Sequence, residues 1–247
     1  MSRNGSGVYS LPGTYLAVSG ETIEAQQHND PLEDLQSDAN TARPIVAGGT
    51  GATSASAART NLDVPSTSEI GWTKISEVTA SSSTTVDFTS GLDDTYDDYM
   101  ITFDAKVATD GAYLHMRIGT GAGPTWQSSA GSYGWSGREL GPSGGADKGS
   151  STNSVDDRIC LVDPVAGNGI GSDTGEHISG TIRFSNPEAA VIPLFEFSTA
   201  WLGTASIGVS LVGFGWYGAA NAVTGIRFAA SSGNIASGTF RLYGLTK

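Results

Sequence analysis

Apolar and polar residues alternate along most of the chain after Trp72. In YMITFDAKV, residues 99–107, every second side chain is apolar and those between are mostly polar. The alternation recurs in LHMRI (114–118), ISGTIRF (178–184), FEF (195–197), IGVSLVGF (207–214), GIRF (225–228) and TFRLYG (239–244). A period of two is typical of half-buried strands, and the glycine- and serine-rich turns between these segments suit antiparallel pairing. The pattern therefore predicts a mainly β protein with a C-terminal antiparallel β-sandwich, jelly-roll-like in arrangement.

The first quarter of the chain contains two short helical patterns instead of strands. Asp30 is predicted to cap a short helix whose first position is Pro31, because both residue types favour a helix start. A second helical turn is expected in SASAAR, residues 54–59, capped by Thr53 or Ser54.

This quarter has too few large apolar residues to build its own core. A segment of this kind is stable only when a partner, or further copies of itself, supply the missing apolar contacts. We therefore predict three parts: an extended N-terminal attachment and oligomerisation segment with short helices over 1–64, a linker over 65–71, and the sandwich domain over 72–247.

The glycine-rich stretch GGTGAT, residues 48–53, has the look of a phosphate-binding loop. Such a loop needs a lysine directly after its last glycine and a hydrophobic strand before its first. Neither is present around Gly48, Gly49 and Gly51, and the strand–helix–strand context of a dinucleotide site is missing too. We interpret these glycines as positions where the chain turns sharply or where chains approach closely, and we expect no cofactor.

The segment between Gly119 and Ser154 has little alternation and is predicted to be a long loop. It holds four residues of the types that bind sugars: Trp126, Tyr133, Trp135 and Arg138. Aromatic faces pack on sugar rings, and an arginine binds the hydroxyls. The alternative is that these aromatic residues fill one end of the sandwich or a subunit interface, since tryptophan is common in both places. The sequence leaves both interpretations open.

The acidic stretch GLDDTYDDY contains the only candidate metal ligands, Asp93, Asp94, Asp97 and Asp98. Oxygen-rich clusters can bind Ca²⁺, but the alternating ligands and central glycine of an EF-hand are absent. A solvated turn before the next strand is the preferred interpretation.

No residue pattern indicates catalysis. Asp156, Asp157, Asp163 and Glu139 have no spacing that singles out a pair of glycosidase carboxylates. The three histidines form no H-E-x-x-H pattern, no G-x-S-x-G elbow occurs, and His115 is expected on the exposed face of its strand. We therefore predict that the protein is not an enzyme.

Composition narrows the choice of partners. The net charge of −12, with 13 basic against 25 acidic residues, disfavours nucleic acid and anionic membranes. Cys160 is the only cysteine, so no disulfide forms within one chain. We find neither a signal-peptide pattern nor about 20 consecutive apolar residues, and expect synthesis in the cytoplasm without membrane insertion.

The N-terminal quarter resembles the N-terminal segment of bacteriophage tail-fibre proteins. The similarity begins with GVYSLPGTYLAVSGETIEAQQHND and is most specific in ARPIVAGGTGATSASAARTNLDV. Asp63 stands where that family more often has glycine. The matching positions of the second part are Pro44, Gly48, Gly49, Gly51, Arg59, Asn61 and Leu62, together with the small residues between them. The resemblance implies that these residues attach the protein to a virion and to sister chains.

The resemblance to tail-fibre proteins also has implications for the protein as a whole. Members of this family are usually homotrimers that contact other virion proteins with their N-terminal part and the host surface with their C-terminal part. Related spikes are also mounted on the heads of some phages and gene transfer agents. From the resemblance we expect a virion fibre or spike made in a bacterial cytoplasm, attaching to a host surface polysaccharide. A structural adaptor or head decoration that binds no receptor, and a polysaccharide-degrading spike, are the two alternatives.

Overall fold

The computed structural model describes residues 19–22, 24–40, 43, 45, 49–65, 71–141, 144–149, 156–164, 169–204 and 206–245. The chain divides into two units, Met1–Ile70 and Gly71–Lys247. Pro44 and Gly48, two of the predicted attachment residues, lie outside the described residues.

The first helix, α1, spans Ala25–Ala39 and begins five residues before the predicted cap, Asp30. The N–H of His28 donates a hydrogen bond to the carbonyl of Glu24 at 3.2 Å, so the first turn closes well upstream of Pro31. The predicted start was therefore wrong. Ala and Gln favour a helix without a strong cap, and Pro31 is accommodated inside it.

The second helix, α2, spans Ala55–Asn61, as SASAAR predicted. The Ser54 side chain accepts a hydrogen bond from the N–H of Ala57, which confirms Ser54 as the cap. After the C-cap Leu62, Asp63 has a φ of 53°. Glycine adopts this left-handed conformation after a helix with less strain than Asp63 does.

The glycine-rich turn before α2 folds against its own chain. The N–H of Gly51 donates to the carbonyl of Arg43 at 2.6 Å, and Gly51 has a φ of 65°. A Cβ at Gly49 would lie 2.2 Å from the same carbonyl oxygen, so only glycine fits there. The Asn61 amide donates to the carbonyl of Thr50 at 2.8 Å and ties the turn to α2. Gly49, Gly51 and Asn61 thus shape one local turn.

Among the described residues, no hydrophobic side chain before Ala80 is buried. The large apolar residues that the structure describes in the first unit are about half exposed: Leu32, Leu35, Ile45, Leu62 and Val64. The described part of the N-terminal unit therefore presents apolar side chains and buries none of them.

The second unit is built from antiparallel strands. They are β1 Trp72–Ser83, β2 Val86–Phe88, β3 Asp98–Val107, β4 Leu114–Thr120, β5 Thr125–Trp126, β6 Tyr133–Gly141, β7 Gly144–Gly149, β8 Ile159–Cys160, β9 Ile178–Ser185, β10 Leu194–Leu202, β11 Gly208–Tyr217, β12 Gly225–Ala230 and β13 Ile235–Leu245. The larger sheet has the order β1-β13-β3-β9-β10-β11-β6-β7, and the smaller has β2-β12-β4-β5, with β8 also pairing β4. The mainly β, sandwich-like prediction is confirmed, and the jelly-roll arrangement stays a prediction.

The core lies between the two sheets. Phe228 of the smaller sheet packs against Phe103 and Phe240 of the larger sheet, with ring centroids 5.8 and 4.9 Å apart. All three rings are buried, as is most of the apolar side of each alternating strand. Because β1 and β13 are paired with Trp72 opposite Leu245, the sandwich begins and ends at the same end of the larger sheet.

Much of the predicted loop over 119–154 is strand, since it holds the end of β4 and the whole of β5, β6 and β7, so this prediction was wrong. In YGWSGREL the alternate positions are Tyr, Trp, Gly and Glu on one side and Gly, Ser, Arg and Leu on the other, so neither side is consistently apolar or polar. The structure gives the reason for Gly134: a Cβ there would lie 2.0 Å from Cζ2 of Trp216 on β11. The Trp216 ring on the neighbouring strand therefore occupies the space that a side chain at position 134 would fill.

Candidate functional site

Two of the four predicted sugar-binding residues belong to the core. Tyr133 is fully buried and Trp135 is 2% exposed. The Tyr133 hydroxyl accepts a hydrogen bond from the N–H of Ile118 and donates one to the carbonyl of Gln127, both at 3.0 Å. The Trp135 indole N–H donates to the Asp156 carboxylate at 3.1 Å. These two rings fill the inside of the sandwich and offer no face to a sugar, as the alternative interpretation of the sequence had it.

The other two predicted residues lie on opposite sides of the molecule. Trp126 is half-buried on the outer face of the smaller sheet, where the Arg227 guanidinium lies 4.3 Å from its ring centroid. Arg227 in turn forms two hydrogen bonds with Asp87, at 2.8 and 2.6 Å. Arg138 is exposed on β6 of the larger sheet. The four residues therefore do not form one sugar-binding platform.

The acidic stretch folds as a turn held by its own backbone. The Asp93 carboxylate accepts a hydrogen bond from the N–H of Thr95 at 3.0 Å, and hydrogen bonding to Thr95 lowers the pKa of Asp93. The Ser185 hydroxyl donates a hydrogen bond to Asp98. Over the described ranges, no three His, Cys, Asp or Glu side chains come together as metal ligands. The described fold thus does not gather three of these four aspartates into one cluster of ligands.

A cleft of about 520 Å³ opens on the outer face of the larger sheet, at the end where β1 begins. Its floor follows one row across four neighbouring strands: Trp72 on β1 lies opposite Leu245 on β13, which pairs with Asp98 on β3, which pairs with Ser185 on β9. Beneath this row the buried rings of Tyr99 and Phe184 stack with centroids 5.5 Å apart. The cleft therefore rests on the sandwich core, and strand pairing fixes the positions of its residues.

One wall of the cleft is the turn that joins β9 to β10. Val191, Ile192 and Pro193 line it, and the first two side chains are about half exposed. Asn186 starts the turn with a φ of 46°, a region that Asn tolerates, and its N–H donates to the carbonyl of Asp97 at 2.7 Å. This hydrogen bond fixes the turn to the acidic stretch and places the Asn186 side chain at the edge of the cleft.

Charged groups and an aromatic ring meet in this cleft. The Arg183 guanidinium carbon lies 5.7 Å from the ring centroid of Trp72, within the range of a cation–π contact. Asp98 and Glu196 line the same cleft, and Glu196 is the cross-strand neighbour of Arg183. With two carboxylates and one guanidinium, the cleft can donate and accept hydrogen bonds beside an apolar surface. That combination is typical of sites for small polar ligands.

Sequence reasoning missed this cleft because its residues are far apart in the chain. Trp72 opens the first strand and Arg183 lies on the polar side of ISGTIRF. Each residue alone is an ordinary strand residue, and only the strand order β1-β13-β3-β9 brings them together. No local signal could have found the pair.

A second group of charges lies on the outer face of the smaller sheet. Arg117 and Arg158 both form ion pairs with Asp157. Burial alone would raise the pKa of Asp157, but the hydrogen bond from Arg158 and the charges of both arginines outweigh it and lower the pKa. Nearby His115 is 4% exposed, which corrects the expectation of an exposed histidine, and its Nδ1 has no hydrogen-bond partner among the described residues. Both arginines already form ion pairs with the carboxylate of Asp157, so this group of charges stabilises the outer face of the smaller sheet.

Comparisons with models of known protein families, with curated proteins and with solved structures gave no match to this chain. In the part of the chain that the structure describes, no helix combines the length and the apolar character needed to cross a membrane.

Proposed function

We propose that this protein is a fibre or spike of a bacteriophage or phage-like particle, and that its sandwich attaches the particle to a neutral glycan on the host surface. The observation that carries the proposal is the difference between the two units in which side chains they bury and which they expose. The described residues of the first unit include exposed apolar side chains and no buried ones, whereas the second unit has a buried core and a mixed aromatic and charged cleft.

The N-terminal unit supports the attachment role. Its sequence resembles the mounting segment of tail fibres, and the resembling residues Gly49, Gly51 and Asn61 build one hydrogen-bonded turn against α2. Asp63, the departure from the family pattern, has the left-handed conformation that favours glycine. The exposed Leu62 and Val64 then remain available to sister chains or to another virion protein.

The cleft supports the choice of a glycan. A sugar ring presents apolar C–H faces and a rim of hydroxyls, and the cleft offers the Trp72 ring beside hydrogen-bonding groups of both kinds. Asp98 and Glu196 accept hydrogen bonds, Arg183 donates them, and the Asn186 amide can do either. Each cleft need bind only weakly, because several copies on one particle multiply modest affinities.

The charge of the cleft favours a neutral glycan over an acidic one. Two carboxylates against one guanidinium give the cleft a negative balance, and the whole chain carries −12. A uronic acid or sulfate group would be repelled by both, and the repulsion would weaken as salt is raised.

The test is binding of the full-length protein to an array of neutral and acidic bacterial O-antigens and capsular polysaccharides. We expect binding to neutral members and its loss, by at least tenfold, in Trp72→Ala and in Arg183→Gln. Trp126→Ala is the matched control, since Trp126 is also a half-buried tryptophan with an arginine over its ring, but on the other sheet. That variant should bind like the unchanged protein.

Three results would contradict the proposal. Loss of binding in Trp126→Ala with normal binding in Trp72→Ala would place the site on the smaller sheet. Binding to particle proteins alone, with no polysaccharide bound, would favour an adaptor or head decoration. Release of reducing ends from a bound polysaccharide would establish a degrading spike instead.

A further inference from the structure

A diagonal strip of exposed apolar side chains crosses the outer face of the larger sheet on β10, β11 and β6. We call the following five residues the apolar strip: Leu140, Leu194, Val212, Phe214 and Trp216. Leu140, Leu194, Val212 and Phe214 are between 48% and 62% exposed. Strand register makes the strip continuous, because Leu194 lies opposite Trp216 on β11, and Phe214 and Val212 follow along the same strand face.

Two aromatic rings of the strip pack against each other on the sheet. The rings of Phe214 and Trp216 are stacked with centroids 5.8 Å apart and an interplanar angle of 23°. The Trp216 indole lies over Gly134, where a Cβ would come within 2.0 Å of it. Gly134 therefore lets this large ring lie down on the sheet, so the face is shaped for contact with another surface.

The exposed apolar area is large for a monomer. Four of the five side chains are about half exposed and Trp216 is less so, which leaves on the order of 400 Å² uncovered, the size of patch that usually marks an interaction site. A standard protein interface buries about 800 Å² on each partner and is a little more than half apolar. The strip with its polar border matches that size and composition.

A carboxylate borders the strip on its β10 side and a guanidinium on its β6 side, and each has a residue of opposite charge opposite it on the next strand, Arg183 for Glu196 and Asp147 for Arg138. Glu196 lies on β10 opposite Phe214, and Arg138 lies on β6 opposite Val212. When the β10 side of one copy meets the β6 side of another, Glu196 comes near Arg138 and the apolar strips meet between them. A shallow hollow of about 410 Å³ beside Val212 and Phe214 can receive a side chain from the opposite surface.

We propose that the apolar strip is the surface through which the sandwich packs against a second copy of the same chain. A glycan is a poor occupant, because leucine and valine side chains would leave most sugar hydroxyls without hydrogen bonds. A second copy fits both the apolar strip and its charged border. The first unit, with its own exposed apolar side chains, would hold the copies together and raise the effective concentration of the sandwich faces.

The experiment places single thiols on the full-length chain. Cys160, the only native thiol, is 2% exposed, and burial raises the pKa of its thiol, so it should not react. Val212→Cys puts a thiol in the strip. Thr79→Cys is the control, on an exposed position of β1 at the far edge of the same sheet. Each variant is treated with a short bismaleimide cross-linker and, separately, with a fluorescent maleimide.

We expect a cross-linked dimer from Val212→Cys and none from Thr79→Cys. We also expect the maleimide to react at least tenfold more slowly at position 212 than at position 79. Adding Phe214→Asp to Val212→Cys should abolish the cross-link and restore fast labelling, because a charge in the strip separates the copies. Slow labelling that survives this second change would come from local structure and would overturn the proposal.

Two further results would also overturn it. One is equal labelling at both positions with no cross-link. The other is protection of position 212 only when a neutral polysaccharide is added, which would make the strip a sugar site. Leu194 and Glu196 lie at the border between the strip and the cleft, so glycan binding is measured both on Val212→Cys and on the separated Val212→Cys/Phe214→Asp protein. Glycan binding by the separated protein would support the cleft whether or not the strip pairs copies, so the two proposals can fail independently.

Discussion

At the scale of single residues, His115 shows how far local pattern and final environment can differ. The alternation in LHMRI correctly places it on the outer face of β4, but Tyr113 and the segment around Arg158 and Cys160 pack beside it. Burial, reinforced by the charges of Arg158 and Arg117, lowers the pKa of His115 to about 3. Asp157, also nearby, opposes this effect only in part. Burial by distant residues is not visible in a five-residue pattern.

This histidine should make the fold sensitive to acid. It is neutral when folded, and its pKa when unfolded is about 6.5, so below that pH the unfolded chain binds a proton that the folded chain does not. Stability is therefore lost as the pH falls from about 6.5 towards 3. Between pH 6.5 and 4.5 the loss should be roughly 2 to 3 kcal/mol.

Urea unfolding of His115→Leu at both pH values checks this. The variant should lose less stability on acidification than the unchanged protein, by about that amount. His28→Gln, a change at an exposed histidine on α1, should leave the acid sensitivity as it was. An equal loss in His115→Leu and the unchanged protein would show that other groups cause it.

At the scale of elements, the strands with regular apolar alternation were predictable from the sequence and those built on glycine were not. The alternating segments from 99–107 to 239–244 all became strands. β6 was missed because Gly134 and Gly137 stand where a polar or apolar side chain would have marked a face. The space at Gly134 is filled by Trp216, which lies far along the chain. The sequence also leaves open which strands are neighbours, and the cleft and the apolar strip depend on that order.

Gly134→Ala tests whether β6 and β11 depend on this close contact. The new methyl group would displace the Trp216 ring, so we expect a loss of about 1 to 3 kcal/mol in the free energy of unfolding. Gly141→Ala is the matched control on the same strand, since a Cβ there has no atom within 4 Å. Urea unfolding followed by tryptophan fluorescence measures both. A Gly134→Ala protein as stable as the control would show that Trp216 moves without cost.

At the scale of the whole molecule, the two units differ in what they need from their surroundings. All buried hydrophobic side chains of the described chain lie between Ala80 and Leu242. The second unit therefore has a core with which to fold alone, while the described residues of the first unit contribute no buried hydrophobic side chain. The scarcity of large apolar residues in the first quarter of the sequence predicts that this quarter needs a partner, and that stays a prediction.

Removing residues 1–64 should leave the sandwich folded. We expect the fragment 65–247 to unfold in one cooperative transition within about 4 °C of the main transition of the full-length protein, as measured by calorimetry. The isolated segment 1–64 should show no cooperative transition in dilute solution. A folded monomeric segment 1–64, or incorporation of the fragment 65–247 into particles, would contradict the assignment of attachment to the first unit.

The pairing of Trp72 with Leu245 has a practical consequence for anyone who labels this protein. A fluorescent protein or affinity tag fused behind β13 would leave the sandwich beside Trp72 and crowd the cleft. The turn at 231–233 lies at the other end of β13, about 35 Å away along an 11-residue strand. Ser232 is exposed there, and a short epitope inserted at that turn would report on the protein while leaving the cleft open.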